Sequence, residues 1–264
     1  MSEAASADGS IQELLNFAEQ LADAARPVSL KYFRTAISAE VKADESPVTI
    51  ADRETETRLR QMIIEVYPAH GIVGEELGNL NADAETVWVI DPIDGTQAFI
   101  TGKPLFGTLI GLYRGGKPLL GVMDMPALGE RWTAGQGLPT LFDGAPARVR
   151  SCANLADAWL YATSPQMFTE PNFPRFENLR LGCRRAVYGA ECQAYGLLAS
   201  GHVDLVCEDT LQPYDYAALI PIIEGAGGVI TDWRGKALDL ESDGTVIAAG
   251  DPALHAVAIE ILNS

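Results

Sequence analysis

Apolar residues recur at helical spacing along the start of the chain, at Ile11, Leu14, Leu15, Ala18, Leu21, Ala22 and Ala25. That period predicts an amphipathic helix over residues 11–33, carried past Pro27 late in its length. A second helix is predicted over residues 51–66, stopped by Pro68 and Gly71. Residues 87–90 are apolar without alternation, as in a strand covered on both faces. Residues 108–113 and 118–123 flank Gly115 and Gly116 and predict a β-hairpin.

The turn-rich stretch GQGLPTLFDGAP, residues 135–146, is the best place for a boundary. It divides the chain into an N-terminal α+β half, residues 1–142, and a C-terminal α/β half, residues 143–264. In the second half strands are predicted at residues 159–162, 185–188, 203–207, 229–231 and 246–249, and helices at 191–200, 213–224 and 252–262. Such alternation argues for an α/β layer packed beside the α+β half. Pro221 falls inside one of those helices, where a proline removes a helix bond, so a kink or early break is expected there.

Composition narrows the partners. With 47% hydrophobic residues, a chain of 264 residues buries a substantial core. A net charge of −17 repels nucleic acid and anionic membranes, so neither is an expected partner. The opening MSEAASADGS has neither the basic nor the apolar region of a signal peptide, and no apolar run reaches the roughly 18 residues of a membrane span. Cys152, Cys183, Cys192 and Cys207 lie far apart without a C-x-x-C pair, which argues against zinc or a disulfide framework. A cytoplasmic location is expected.

The candidate chemistry lies in DPIDGT, residues 91–96, directly behind the apolar strand. Pro92 fixes its own φ and biases Asp91 toward an extended conformation, so the carboxylates of Asp91 and Asp94 leave the strand rigidly aimed. If a helix starts near Thr96, the N–H groups of Gly95, Thr96 and Gln97 form an anion seat beside two carboxylates. Anion and carboxylates repel one another unless a hard cation such as Mg²⁺ sits between them. The structural alternative is a turn in which Asp94 caps a helix. GIVGEELG adds Glu75 and Glu76, and PYDYAALIPIIEGAGG places Asp215 in the first turn of a helix, where it also complements the helix dipole. SPVTIAD adds Thr49 and Asp52; Asp52 either caps the following helix or accepts from the Thr96 hydroxyl and so helps to orient an attacking water.

Four motifs in this order, SPVTIAD (46–52), GEE (74–76), DPIDGT (91–96) and PYDYAA (213–218) with EGAGG (224–228), resemble the inositol monophosphatase superfamily over nearly the whole chain. The resemblance implies a layered α-β-α-β-α sandwich of the inositol monophosphatase and fructose-1,6-bisphosphatase type, and a Mg²⁺-dependent phosphomonoesterase, often dimeric, with two or three ions per site. It also implies metal ligation by Glu75, Asp91, the Ile93 carbonyl, Asp94 and Asp215. Asp52, Thr96 and Glu75 take catalytic roles, and the N–H groups of Gly95 and Thr96 face the phosphate, with Asp215 also at the substrate.

Three stretches, residues 97–112, 123–132 and 197–216, look more like the histidinol-phosphate phosphatase branch than the inositol branch. Histidinol phosphate carries an amine and an imidazole, and Glu191 and Glu208 suit a cationic alcohol. The other reading of Glu191 is a helix cap, and of Glu208 a solvated strand end. Alternatives for the whole chain are an inositol-1-monophosphatase or broad-specificity sugar or nucleotide phosphatase, a haloacid-dehalogenase-type phosphatase, or a metal and phosphate binder without turnover. The haloacid-dehalogenase motif spaces its aspartates two apart; here they are three apart. His70, His202 and His255 lie outside the motifs and receive no catalytic role, and Arg184 and Arg185 read as a strand-edge charge pair.

Overall fold

The chain is described from a computed structural model over residues 9–36, 40, 41 and 47–264. Ser46 of the first motif, and Lys42 and Asp44 ahead of it, lie outside the described residues.

Ser10 opens helix α1 (Ile11–Tyr32) with a reciprocal cap: the Ser10 hydroxyl accepts from the Glu13 N–H and the Glu13 carboxylate accepts from the Ser10 N–H. The helix runs unbroken past Pro27, which sits on its exposed face. The chain continues through β1 (Glu40–Val41), β2 (Pro47–Val48), α2 (Ile50–Val66), β3 (Gly71–Gly74), β4 (Gly78–Leu80), β5 (Thr86–Asp94) and α3 (Thr96–Ile100). Then come β6 (Gly107–Arg114), β7 (Lys117–Met125), β8 (Glu130–Gly135), β9 (Leu141–Phe142) and β10 (Ala145–Pro146). The remainder is β11 (Trp159–Ala162), α4 (Asn172–Gly182), β12 (Arg185–Tyr188), α5 (Gln193–Ala199), β13 (Leu205–Glu208), α6 (Pro213–Tyr216), α7 (Leu219–Gly225), β14 (Val229–Thr231), β15 (Val246–Ala249) and α8 (Pro252–Leu262).

Two mixed sheets organise these elements. The larger has the order β10-β9-β8-β7-β6-β5-β3-β4, and the smaller β12-β11-β13-β15-β14. Alternate residues of β5 point to opposite sides: Trp88 and Ile90 pack with α1 and α2, while Val87 and Val89 pack against the interior helices. Those interior helices, α5, α6 and α7, fill the space between the sheets, with Tyr195, Leu198, Tyr216 and Ile223 meeting Val206, Val246 and Ala248 of the smaller sheet. On the far face of the smaller sheet Phe176, Leu179, Leu254 and Ala258 bring α4 and α8 into the last layer. Helix, sheet, helix, sheet, helix is the layered sandwich that the motifs imply.

Two backbone devices position the site. The register of β5 on β6 shifts between Asp91 and Asp94, so the strand is bulged where Pro92 lacks an N–H, and the Thr108 hydroxyl donates to the Pro92 carbonyl at 2.9 Å. The second device is a close approach of α6 and α7 to the large sheet. A Cβ on Gly121 would stand 1.9 Å from the Ala218 carbonyl oxygen, and one on Gly111 3.0 Å from Ala217.

Several boundaries differ from the sequence reading. The helix expected over residues 213–224 is two short ones, parted at Ala217 and Ala218; this is the break expected from Pro221, because Ala217 is the residue whose carbonyl it leaves unbonded. A second helix starts past the break, and Pro221 stands in its first turn. α5 starts at Gln193, after Glu191, and β13 extends to Glu208. β3, β4, β8 and α4 were not drawn from the sequence. The division at 142/143 falls inside the hairpin of β9 and β10, and one core cluster holds residues of both halves. His70 accepts from the Trp88 indole at 3.1 Å and His255 pairs with the Thr231 hydroxyl at 2.9 Å, both structural positions. Arg184 and Arg185 are exposed, Arg185 on the edge strand β12. The four cysteines are free thiols. Among the described residues, no helix is long and apolar enough to cross a membrane.

Gly121→Ala forces β7 and the α6–α7 break apart, and overpacking of this kind costs roughly 1–3 kcal/mol. Urea unfolding of the variant is expected to show that loss. A midpoint equal to that of the unaltered protein would refute so close a backbone contact.

Candidate active site

Each carboxylate of the central cluster is held by a backbone N–H. Asp91, buried at the bulge of β5, accepts from the Ile93 N–H at 3.0 Å. Asp94 accepts from the Cys192 N–H at 2.8 Å, a contact made across 98 residues of chain. Asp215 accepts from the Gln212 N–H at 2.7 Å, which is the capping box of α6. So arranged, one oxygen of each of Asp91, Asp94 and Asp215 lies within 4.8 Å of the others.

Asp94 is therefore not a helix cap. The N-cap of α3 is Gly95, in the left-handed region at φ 80°, with no side-chain capping bond. Asp52 combines both of its readings: Oδ2 takes the Thr49 N–H at 2.8 Å and the Thr49 hydroxyl at 2.6 Å, closing the capping box of α2. Its Oδ1 faces the Thr96 hydroxyl at 3.4 Å, and that hydroxyl lies 3.1 Å from the Ile93 carbonyl. Glu75 follows β3, its N–H donating to the Ile90 carbonyl at 3.3 Å, so the GEE turn docks beside the end of β5.

Electrostatics of the cluster are dominated by burial. It raises Asp91 well above the ordinary carboxylate range, and the charges of Glu75, Asp94 and Asp215 add to the rise. Burial raises Asp94 too, opposed by its hydrogen bonds from Cys192. Asp215 is raised well above the usual range by burial and then by Asp94, against the Gln212 N–H. Among the described residues no ion pair involves any of the three. Like charges brought together out of water without a counter-charge fit a bound hard cation, because oxygen donors are what such cations take.

Beside the cluster lies a cleft of about 590 Å³. Glu75, Asp94, Gly95, Thr96 and Asp215 line one part of it, and Glu191 and Glu208 line it as well, so the expected substrate-side residues share one cavity with the metal candidates. Asp91, Asp52 and Ile93 are buried beside it rather than on its wall. Glu208 is not a solvated strand end: it is buried and accepts from the Thr163 N–H at 2.7 Å and from the Thr163 hydroxyl at 2.9 Å. Burial pushes it up to about 8, with the Thr163 hydrogen bonds opposing. Glu191 is not a side-chain cap of α5, whose N-cap is Cys192. Burial and the charge of Asp94 push Glu191 up to about 7, and Lys103 pulls it down.

Sequence reasoning missed the groups that hold these side chains. Thr163 fixes Glu208, the Cys192 N–H fixes Asp94, and Glu56 accepts from the N–H groups of Glu76 and Leu77 at 2.7 and 3.1 Å. The one local signal for Glu56 was Gly74, since a Cβ there would stand 2.3 Å from the Glu56 carboxylate. Backbone donors such as that of Cys192 leave no mark on residue type.

Comparison with known proteins agrees with this geometry. The profile described as "Inositol monophosphatase family" matches residues 10–264. The chain is 48% identical over 251 residues to the chloroplastic bifunctional phosphatase IMPL2 of Arabidopsis thaliana, covering 92% of this chain and 72% of that protein. It is 36% identical over 236 residues to the histidinol-phosphatase of Chlorobaculum parvum, covering 89% and 91%. A solved inositol monophosphatase from Zymomonas mobilis superposes with a TM-score of 0.90 at 43% identity, covering 97% of this chain and all of that one.

The raised carboxylates give a pH test with a definite sign. In the unfolded chain they ionise near the usual value of about 3.9, whereas in the folded, chelated protein they hold their protons to higher pH. Stability is therefore lost as pH rises through that window. Added Mg²⁺ is expected to raise Tm more at pH 8 than at pH 5. Asp91→Asn is expected to raise the chelated Tm at pH 8 by roughly 2–4 °C, equivalent to about 1 kcal/mol, and to shrink the Mg²⁺ shift. A chelated variant melting with the unaltered protein would show that the charges are already neutralised within the chain.

Proposed function

The chain belongs to the inositol monophosphatase family, whose members are metal-dependent phosphatases, and from that premise we propose that it hydrolyses L-histidinol phosphate to L-histidinol and phosphate with Mg²⁺. The observation that carries the reading is the composition of one cleft: Asp94 and Asp215 on its wall with Asp91 buried behind them, and two further glutamates, half-buried Glu191 and buried Glu208, on the same wall. The aspartates suit ions that receive a phosphate. Burial holds protons on the two glutamates up to about 7 and about 8 in the free protein, and a cationic alcohol beside them favours the ionised form that pairs with it.

In this reading Glu75, Asp91, the Ile93 carbonyl, Asp94 and Asp215 hold two or three Mg²⁺ ions. Bound there, such ions neutralise the carboxylates and stabilise the charge that develops on the phosphoryl group. The chain's own groups do the positioning. The Thr96 hydroxyl proton is directed at oxygen acceptors of Asp52 and Ile93, which leaves the lone pairs of Thr96 Oγ1 to take a hydrogen bond from the attacking water. Glu75 borders the same water. Backbone N–H groups of Gly95 and Thr96 face the phosphate, at the left-handed turn that only a glycine adopts without strain.

Among the three relatives, one is named a histidinol-phosphatase, one a bifunctional phosphatase and one an inositol monophosphatase, so the alcohol is chosen here on charge. An inositol has no cation for Glu191 and Glu208 and would use them only as hydroxyl acceptors. The reading carries with it a cytoplasmic homodimer.

Phosphate release from L-histidinol phosphate and from inositol 1-phosphate, each with Mg²⁺ and with a chelator, tests the proposal directly. The expected result is chelator-sensitive release with a strong preference for the histidinol ester. Preference for the inositol ester would overturn the substrate, and chelator-resistant release would overturn the metal.

Glu208→Gln separates charge pairing from simple hydrogen bonding. It is expected to raise KM for L-histidinol phosphate by about tenfold, the size of one charge-assisted hydrogen bond, and to change KM for inositol 1-phosphate far less. Equal effects on the two esters would remove the charge-pairing role.

A further inference from the structure

Glu191 stands in a conformation that its own residue type does not favour. Its φ is 51°, in the left-handed region, and a non-glycine residue stays there only when its surroundings fix it. Three contacts fix this turn, and all come from the segment that carries DPIDGT. The Cys192 N–H is bound to Asp94 at 2.8 Å. Gly95 packs against the Glu191 stem so closely that a Cβ on it would meet Glu191 Cγ at 2.8 Å. The third contact is Lys103, just beyond α3: its ammonium donates to the Gly189 carbonyl and lies 3.8 Å from Glu191 Oε1.

Lys103 does not line the cleft, whereas Glu191 does. Its side chain is 40% exposed and that of Glu191 13%, so the lysine approaches the turn from the solvent side while the glutamate is turned inward. Gly189, also left-handed at φ 77°, makes room for it: a Cβ there would stand 2.6 Å from the ammonium nitrogen. One flexible side chain thus grips both ends of a three-residue turn, the carbonyl at its start and the carboxylate at its finish.

We propose that Lys103 is a positioning residue for substrate choice, holding the 189–191 turn so that the Glu191 carboxylate faces the cationic alcohol of an amino-alcohol phosphate. The inference rests on the proposed substrate class and adds the residue that presents the charge. Lys103 touches neither substrate nor phosphate. Its removal leaves the aspartate cluster and its backbone donors in place, because Cys192 holds Asp94 through the main chain.

Four proteins test this with Mg²⁺ present: Lys103→Met, Lys103→Arg, Glu191→Gln and the double variant Lys103→Met with Glu191→Gln. Lys103→Met is expected to raise KM for L-histidinol phosphate about tenfold with kcat within about twofold, and to leave competitive inhibition by inorganic phosphate unchanged. Glu191→Gln is expected to do the same. The double variant is expected to be no worse than either single one, and Lys103→Arg to recover most of the loss.

Weaker inhibition by inorganic phosphate in Lys103→Met would mean that the lysine serves the phosphate and would overturn the inference. Additive losses in the double variant would overturn it too, since Lys103 would then act without Glu191, and so would an unaltered KM in Lys103→Met. Failure of the substrate reading is seen separately, in the unaltered protein: if it turns over inositol 1-phosphate but not L-histidinol phosphate, the cationic alcohol falls and this inference falls with it.

Discussion

Three carboxylates, Asp91 buried and Asp94 and Asp215 half-buried at a cleft, converge without a counter-charge from the described residues, and much of the local structure follows from that conflict. Ionised carboxylates out of water are expensive, and like charges side by side more so. A chain left to maximise stability would place amides or apolar groups here. Instead each aspartate accepts one backbone N–H, from Ile93, Cys192 and Gln212. These donors fix direction without supplying a full positive charge, so the cluster stays acidic and aimed. Stability is given up at this place for affinity toward a cation.

Convergence of the three depends on backbones that approach unusually closely. Asp91 and Asp94 come from one bulged strand, but Asp215 arrives on a separate helix from the middle layer of the sandwich. Gly111 and Gly121 let the Ala217–Ala218 segment come down onto β6 and β7, and the helix breaks at that contact. Asp215 lies two residues before it, at the start of α6. The absence of side chains on the sheet therefore sets the depth at which the third carboxylate stands.

Long periodic elements were legible from the chain alone, because burial of one face leaves a repeating mark: α1, α2, the β6–β7 hairpin and α8 were all anticipated. The aspartates themselves were legible through DPIDGT and PYDYAA. Short elements such as β3, β4 and β9 carry too few residues for a period to emerge. The break between α6 and α7 was legible in Pro221, which has no N–H for the Ala217 carbonyl, whereas the packing of that break on Gly111 and Gly121, more than 90 residues away in sequence, was not. Thr163 beneath Glu208 and Glu56 beneath the GEE turn were invisible for a related reason. Their roles are tertiary, and neither threonine nor a helical glutamate announces a partner.

The turn at residues 189–192 joins the two ends of the cleft, and the kinds of contact it makes differ in what they demand of the sequence. Cys192 holds Asp94 with a main-chain N–H, which any residue but proline would supply. Glu191, one position earlier, reaches the cleft with its side chain, which only its own identity supplies. Substitution within this turn can therefore change what the alcohol meets while the aspartate beside it keeps its donor. In the proposed reading Asp94 is aimed by a backbone donor while the alcohol is met by side-chain identity, so a single fold can keep one chemistry across relatives whose names point to different alcohols.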